Sequence, residues 1–198
     1  MSPLHSQYFI NLPSPAQKGK MSLEETLKNR KSVRNFSATP LTKEELSQLL
    51  WAAQGTTRNW GARTAPSAGA LFPLEVYVVL KEGVFHYSSR EHRLARSLEQ
   101  DVRNQLAYAA LGQDCVQKAP AIFVIAAVYE RTARKYGNRA ERYVKMEAGH
   151  AGQNLLLQAV SLGLEAVPIG AFQDEKVKQV LNLPSNHEPL YLIPVGKK

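Results

Sequence analysis

Apolar residues run almost without a break from Ala121 to Tyr129, directly after Pro120, whereas from Arg139 to Leu162 they return at steps of three and four. The first pattern is that of a strand covered on both faces, and so central in its sheet. The second is a long helix whose stripe is Val144, Ala148, Ala151, Leu155, Ala159 and Leu162. Two glycines, Gly149 and Gly152, interrupt it. A glycine inside a helix costs roughly 1 kcal/mol relative to alanine, so the pair marks a close approach, either of another chain or of the protein's own sheet.

The remaining pattern supplies shorter elements. Ser22-Leu23-Glu24-Glu25 and Thr42-Lys43-Glu44-Glu45 each read as a capping box. The first opens a short helix toward Asn29, and the second a helix with Leu46, Leu49, Leu50 and Ala53 on one stripe that stops at Gly55. Glu75–Leu80 and Val84–Tyr87, parted by Gly83, predict a hairpin. Helical spacing is expected over Ser97–Ala110, a helix capped by Asp174 through Leu181, and a last strand over Pro189–Ile193. Residues 1–20 contain Pro3, Pro13 and Pro15 and little periodicity, and read as an extended arm lying on a neighbour's surface. Helices and strands do not alternate strictly, which favours an α+β sheet flanked by helices over a doubly wound parallel fold.

Composition narrows the classes. A chain of 198 residues, 44% hydrophobic and 21% charged, fits one globular domain with a substantial core. The single cysteine, Cys115, excludes an intrachain disulfide, and five scattered histidines offer no metal-ligand spacing, so no metal is expected. No basic leader or long apolar span appears, and a cytoplasmic protein with no membrane partner is expected. The net charge of +8 invites a nucleic-acid reading. However, the basic residues are spread along the chain without a binding signature, so no nucleic acid is expected, and the field would equally attract anionic cofactors.

One basic frame is more pointed. In Arg30-Lys31-Ser32-Val33-Arg34 the residues 30, 32 and 34 share one side of an extended segment and Lys31 faces the other. Two guanidinium forks and a hydroxyl suit a phosphate, although a solvated basic face gives the same pattern. Neither a nucleophile elbow, a dinucleotide fingerprint nor a Walker loop is present.

The ordered series formed by this frame, Pro66-Ser67-Ala68-Gly69-Ala70-Leu71-Phe72-Pro73, Val167-Pro168-Ile169-Gly170-Ala171-Phe172 and the terminal Ile193-Pro194-Val195-Gly196-Lys197-Lys198 resembles the FMN-dependent nitroreductase family, and within it the SagB-type, azoline-oxidase-like subgroup. The resemblance implies a nitroreductase-like fold, a mainly antiparallel sheet flanked by helices in an intertwined homodimer. It also implies FMN at the interface, NAD(P)H as reductant, a small-molecule acceptor and a ping-pong sequence of hydride transfers. Residue by residue it assigns Arg30 and Ser32 to the phosphate and ribityl region, with Lys31 between them counted in the cofactor site, and Arg34 to the N1/C2 edge of the flavin. Pro66, Ser67, Ala68 and Gly69 fall on the partner's flavin, and Pro168, Ile169, Gly170 and Ala171 on the turn facing N5 and O4. Lys197 or Lys198 completes the phosphate cage. Many family members have Asn and Gln where this chain has Ala70 and Phe72, and the SagB-type subgroup uses a Lys-Tyr pair, for which Lys135-Tyr136 are the candidate catalytic residues. The alternatives are oxidation of azoline-type peptides and a flavin-holding module without turnover.

Overall fold

A computed structural model describes residues 8–198. Its centre is a seven-stranded sheet in the order β1-β4-β3-β2-β5-β7-β6. The strands are β1 (Phe9–Asn11), β2 (Leu74–Leu80), β3 (Gly83–Ser88), β4 (Arg93–Leu98), β5 (Ala121–Ala127), β6 (Glu165–Ala166) and β7 (Glu188–Gly196). All strand pairs are antiparallel. The helices are α1 (Leu23–Asn29), α2 (Lys43–Gln54), α3 (Arg103–Ala109), α4 (Asp114–Lys118), α5 (Tyr129–Tyr136), α6 (Ala140–Ser161) and α7 (Asp174–Leu181).

Strand periodicity explains the layering. Val76, Val78, Phe123, Ile125, Ile193 and Val195 point to one face, where α2 and α6 cover them. Their neighbours Tyr77, Val79, Ile122, Val124 and Leu192 point to the other, against α3, α4 and α7. Every residue of β5 is therefore buried, as its unbroken apolar run predicts. The glycine pair divides. Gly152 faces Tyr191, Ile125 and Ile193 at 3.7–3.8 Å, so its missing side chain lets α6 press on its own sheet, while Gly149 is exposed with open space before it.

Both capping boxes form, each with the hydroxyl receiving the N3 amide and the N3 carboxylate receiving the cap amide. Thr42→Ala is accordingly expected to cost about 1 kcal/mol in urea denaturation. Gly55 ends α2 where a Cβ would stand 2.2 Å from the Trp51 ring.

Four expectations need correction. Ser97 and Leu98 close β4 instead of opening a helix, and α3 starts only at Arg103. Between β5 and α6 lies an extra helix, α5. Asp174 is the first residue of α7 and does not cap it; Gln173 stands at the cap without a side-chain bond. The amino-terminal arm packs on its own chain: Phe9–Asn11 pair with β4, the Pro13 carbonyl accepts from Ser47 (2.6 Å), and the Ala16 amide donates to Gln48 (2.8 Å). Residues 1–7 of that arm lie outside the described residues.

Candidate active site

The residues singled out from sequence fall into two groups. The first gathers at the β6–β7 end of the sheet. Arg30 caps α1 in extended conformation, and the chain then runs beside β6, with Ser32 in a parallel bridge to Ala166 and the Val33 amide donating to the Ala166 carbonyl at 3.0 Å. Further on, the Ser37 amide donates to the Lys197 carbonyl at 2.9 Å. The same edge carries Pro168–Ala171, since Ile169 bridges to Leu192 of β7. Arg30, Lys31, Ser32, Arg34, Pro168, Ile169, Gly170, Ala171 and Lys197 are thereby gathered by one set of backbone pairings. Lys198 follows as the exposed last residue.

Among the described residues Arg30, Lys31 and Arg34 make no ion pair. Lys197 is engaged with Glu45 at 3.4 Å. Gly170 is exposed, with nothing within 4 Å of where a Cβ would stand, and neither its amide nor that of Ala171 has an acceptor among the described residues. Free cations and a hydroxyl beside free amides at an open turn form a donor set without acceptors, which fits an anionic, acceptor-rich ligand such as FMN. Cys115 lies buried near Arg34, and burial pushes its thiol pKa up, which disfavours a nucleophilic role.

The second group, Pro66–Phe72, is held by α5 and α6. A single 3-10 turn spans Ala68–Ala70, in which the Ala70 amide donates to the Ser67 carbonyl (3.1 Å) and the Phe72 amide to the Ser67 hydroxyl (2.9 Å). Gly69 sits at φ 62° directly against the two candidate catalytic residues: a Cβ there would be 2.9 Å from the Tyr136 hydroxyl and 3.1 Å from Lys135 Nζ. The structure thus brings Lys135 and Tyr136 to the Ser67–Gly69 segment. Arg131, unsuspected from sequence, donates from Nη1 to the Phe72 carbonyl at 3.0 Å and pairs with Glu75, whose other oxygen lies 2.6 Å from His86 Nε2.

Beneath this segment lies a buried carboxyl. Glu147 is 3% exposed, and burial pushes its pKa up to about 7, against the opposing pull of the Ser67 hydroxyl and the Arg63 guanidinium. Its Oε1, both amide atoms of Gln54 and Nε of Arg63 make no hydrogen bond among the described residues. The sequence held a signal for it: Glu147 stands three residues after Val144 and one before Ala148, on the stripe that packs inward.

The first group runs along α6: Ser32 pairs beside β6, while Ile169 bridges to Leu192, whose neighbours Tyr191 and Ile193 face Gly152. Ser67 is beside Glu147, whereas β6 begins just past the helix end at Ser161. At 1.5 Å per residue the fourteen rises from Glu147 to Ser161 span about 20 Å, an offset that holds for Ser67 and the Ser32 pairing but not for the Gly170 turn.

One Ser–His pair appears only in three dimensions. Ser47 Oγ is 2.7 Å from His92 Nε2, but that nitrogen also lies 3.0 Å from the Pro13 carbonyl, an acceptor only, and so carries the proton. Nδ1 then accepts from the Tyr87 hydroxyl at 2.8 Å. With no free lone pair at Nε2 and Ser47 only 1% exposed, the pair fastens the arm to α2 and is no nucleophile–base couple. Among the described residues there is no cluster of three His, Cys, Asp or Glu side chains able to hold a metal, and no helix long and apolar enough to cross a membrane.

Comparison with known proteins bears on the family and the fold. The model of the nitroreductase family matches residues 27–197. A Methanocaldococcus jannaschii protein provisionally described as a nitroreductase is 46% identical over 184 residues, covering 90% of this chain and 92% of the relative. The crystal structure of a protein from Ralstonia eutropha, also provisionally a nitroreductase, superposes with a TM-score of 0.87 at 34% identity over 96% of this chain and 89% of that one. More distantly, an NADPH-flavin oxidoreductase of Vibrio harveyi is 26% identical over 180 residues, 87% of this chain and 64% of the relative.

Proposed function

The chain belongs to the nitroreductase family, and from that premise we propose that the protein is an FMN-dependent oxidoreductase, passing hydride between a nicotinamide or organic donor and an electron-poor acceptor in a ping-pong sequence. We read residues 1–198 as one FMN-binding domain and the working unit as a homodimer. The observation that supports the reading most is the convergence of Arg30, Ser32 and Arg34, free of ion pairs, with the open Gly170 turn on one sheet edge. The name of the Vibrio harveyi relative points the same way.

When bound, FMN supplies the centre that accepts and then donates hydride. The chain's own residues bind and polarise. Arg30 and Ser32 hold the phosphate end, and the Arg34 guanidinium favours negative charge at the N1/C2 edge. The amides at Gly170 and Ala171 donate toward N5 and O4, and no side chain at Gly170 blocks the approach. Pro66–Gly69 serve the flavin of the other chain. Exposed Leu23 and Leu27 on α1 and Met146 on α6, at 61%, 52% and 49%, offer apolar surface for that contact.

A second reading, oxidation of azoline-type peptides, is supported by one feature: Lys135 Nζ and Tyr136 Oη both lie close to Gly69, a lysine–tyrosine pair of the kind the SagB-type subgroup uses. Steady-state assays with NADH, NADPH and a thiazoline peptide separate the two.

Titration of purified protein with FMN is expected to show one flavin per chain, bleached by NAD(P)H without oxygen. Absence of binding at micromolar FMN overturns the reading. Arg30→Ala should weaken FMN by about 2 kcal/mol, the value of a charge-assisted hydrogen bond, and Lys31→Ala by much less. Equal losses would mean that general charge, not this register, holds the phosphate.

A further inference from the structure

The turn between Ser67 and Pro73 is backbone that side-chain-bearing residues rarely adopt. Gly69, Ala70 and Phe72 have φ of 62°, 54° and 45°, and two of the three carry a Cβ. Such a run persists only where its surroundings fix it. The local bonds to Ser67 fix its amides, but its exit is fixed from outside, by α5.

Arg131 provides that hold. One arm of its planar fork donates to the Phe72 carbonyl and the other to Glu75, three residues later on β2, so a single rigid group spans the end of the turn and the start of the strand. Glu75 is itself anchored by His86 of β3 at 2.6 Å. The arrangement contributes geometry more than stability, because Arg131 is 40% exposed and an ion pair so open to water adds little to folding. One turn further along α5 stand Lys135 and Tyr136, over Gly69. Arg131 thus ties to the turn the very helix that carries the two side chains above it.

We propose that Arg131 is a positioning residue. Through the Phe72 carbonyl it fixes the left-handed Gly69–Phe72 turn and docks α5, so that Lys135 and Tyr136 stand over Gly69 and the Pro66–Gly69 surface is set for the flavin it faces. The last clause rests on the flavin reading; the clamp itself does not. Lysine cannot replace the fork, since one ammonium on a flexible stem does not span carbonyl and carboxylate in fixed geometry.

The test uses Arg131→Gln and Arg131→Lys in the full chain. In flavin-free protein, the amides of Ala70 and Phe72 are expected to exchange with deuterium about tenfold faster in Arg131→Gln, with global unfolding unchanged and a smaller effect in Arg131→Lys. FMN affinity, from flavin fluorescence quenching, should fall about tenfold. Exchange unchanged in the folded variants overturns the clamp; should Arg131→Gln fail to fold, Arg131→Lys decides by the same measurement. Faster exchange with unaltered FMN affinity, in a protein whose wild type binds FMN, overturns the link to the flavin surface. If the wild type binds no FMN, the flavin reading falls while amide exchange still judges the clamp.

Discussion

Glu147→Gln is expected to remove a pH dependence of stability worth about 3 kcal/mol between pH 4.5 and 7. The folded chain holds the Glu147 proton up to about pH 7, while the unfolded chain releases it near the ordinary 4.5. Within that window unfolding releases a proton, so the stability that this carboxyl contributes is complete below pH 4.5 and is lost as pH rises to 7. Two and a half pH units at about 1.4 kcal/mol each give the magnitude. His92 and His187, whose pKa values burial lowers, act in the opposite sense and gain stability as pH rises toward 6.5. The informative quantity is therefore the difference between variant and wild type, in which the histidines cancel. Thermal unfolding from pH 4.5 to 8 should show Glu147→Gln gaining on the wild type by roughly 6–12 °C across the window. Parallel curves would mean that Glu147 ionises normally.

This carboxyl also shows how far a sequence can be read. Capping boxes at Ser22 and Thr42 are legible because their hydrogen bonds reach only three residues. The β5 strand is legible because burial on both faces leaves no polar position. By contrast β4, Arg93-Leu94-Ala95-Arg96-Ser97-Leu98, hides its nature in two arginines, which lie over the rings of Phe9 and Tyr8 from the distant β1 region at 3.9 and 4.5 Å. A long-range contact of that kind has no local signature. Nor has α5, whose one buried residue, Thr132, leaves no apolar stripe.

The candidate site divides along the same line. Arg30 to Arg34, Pro66 to Gly69 and Pro168 to Ala171 are contiguous motifs, and a frame of residue types was enough to single them out. Arg131 and Glu147 act on the Ser67–Phe72 segment alone, from α5 and α6, more than fifty residues away along the chain. A charged residue in a helix reads as solvated unless the register of its apolar neighbours is followed. For Glu147 that register gives it away; for Arg131, on a helix without a stripe, only the fold does.

The other large effect expected is thermodynamic coupling between cofactor and assembly. On the proposed reading Arg30 and Ser32 hold one end of a flavin whose ring meets Pro66–Gly69 of a second chain, so that the site is complete only in the dimer. FMN would then bind only the assembled form and stabilise it by mass action, by about 2.7 kcal/mol at a free concentration one hundred times Kd. For a chain of this size that is roughly 5–11 °C in Tm. The midpoint should also rise with protein concentration, as it does for any dimer that dissociates on unfolding. In sedimentation velocity, FMN added to dilute flavin-free protein should shift monomer to dimer, and Arg30→Ala should blunt the shift in proportion to its lost affinity. A monomer that binds FMN with full affinity and is reduced normally by its donor would place the whole site in one chain, and would remove Pro66, Ser67, Ala68 and Gly69 from it.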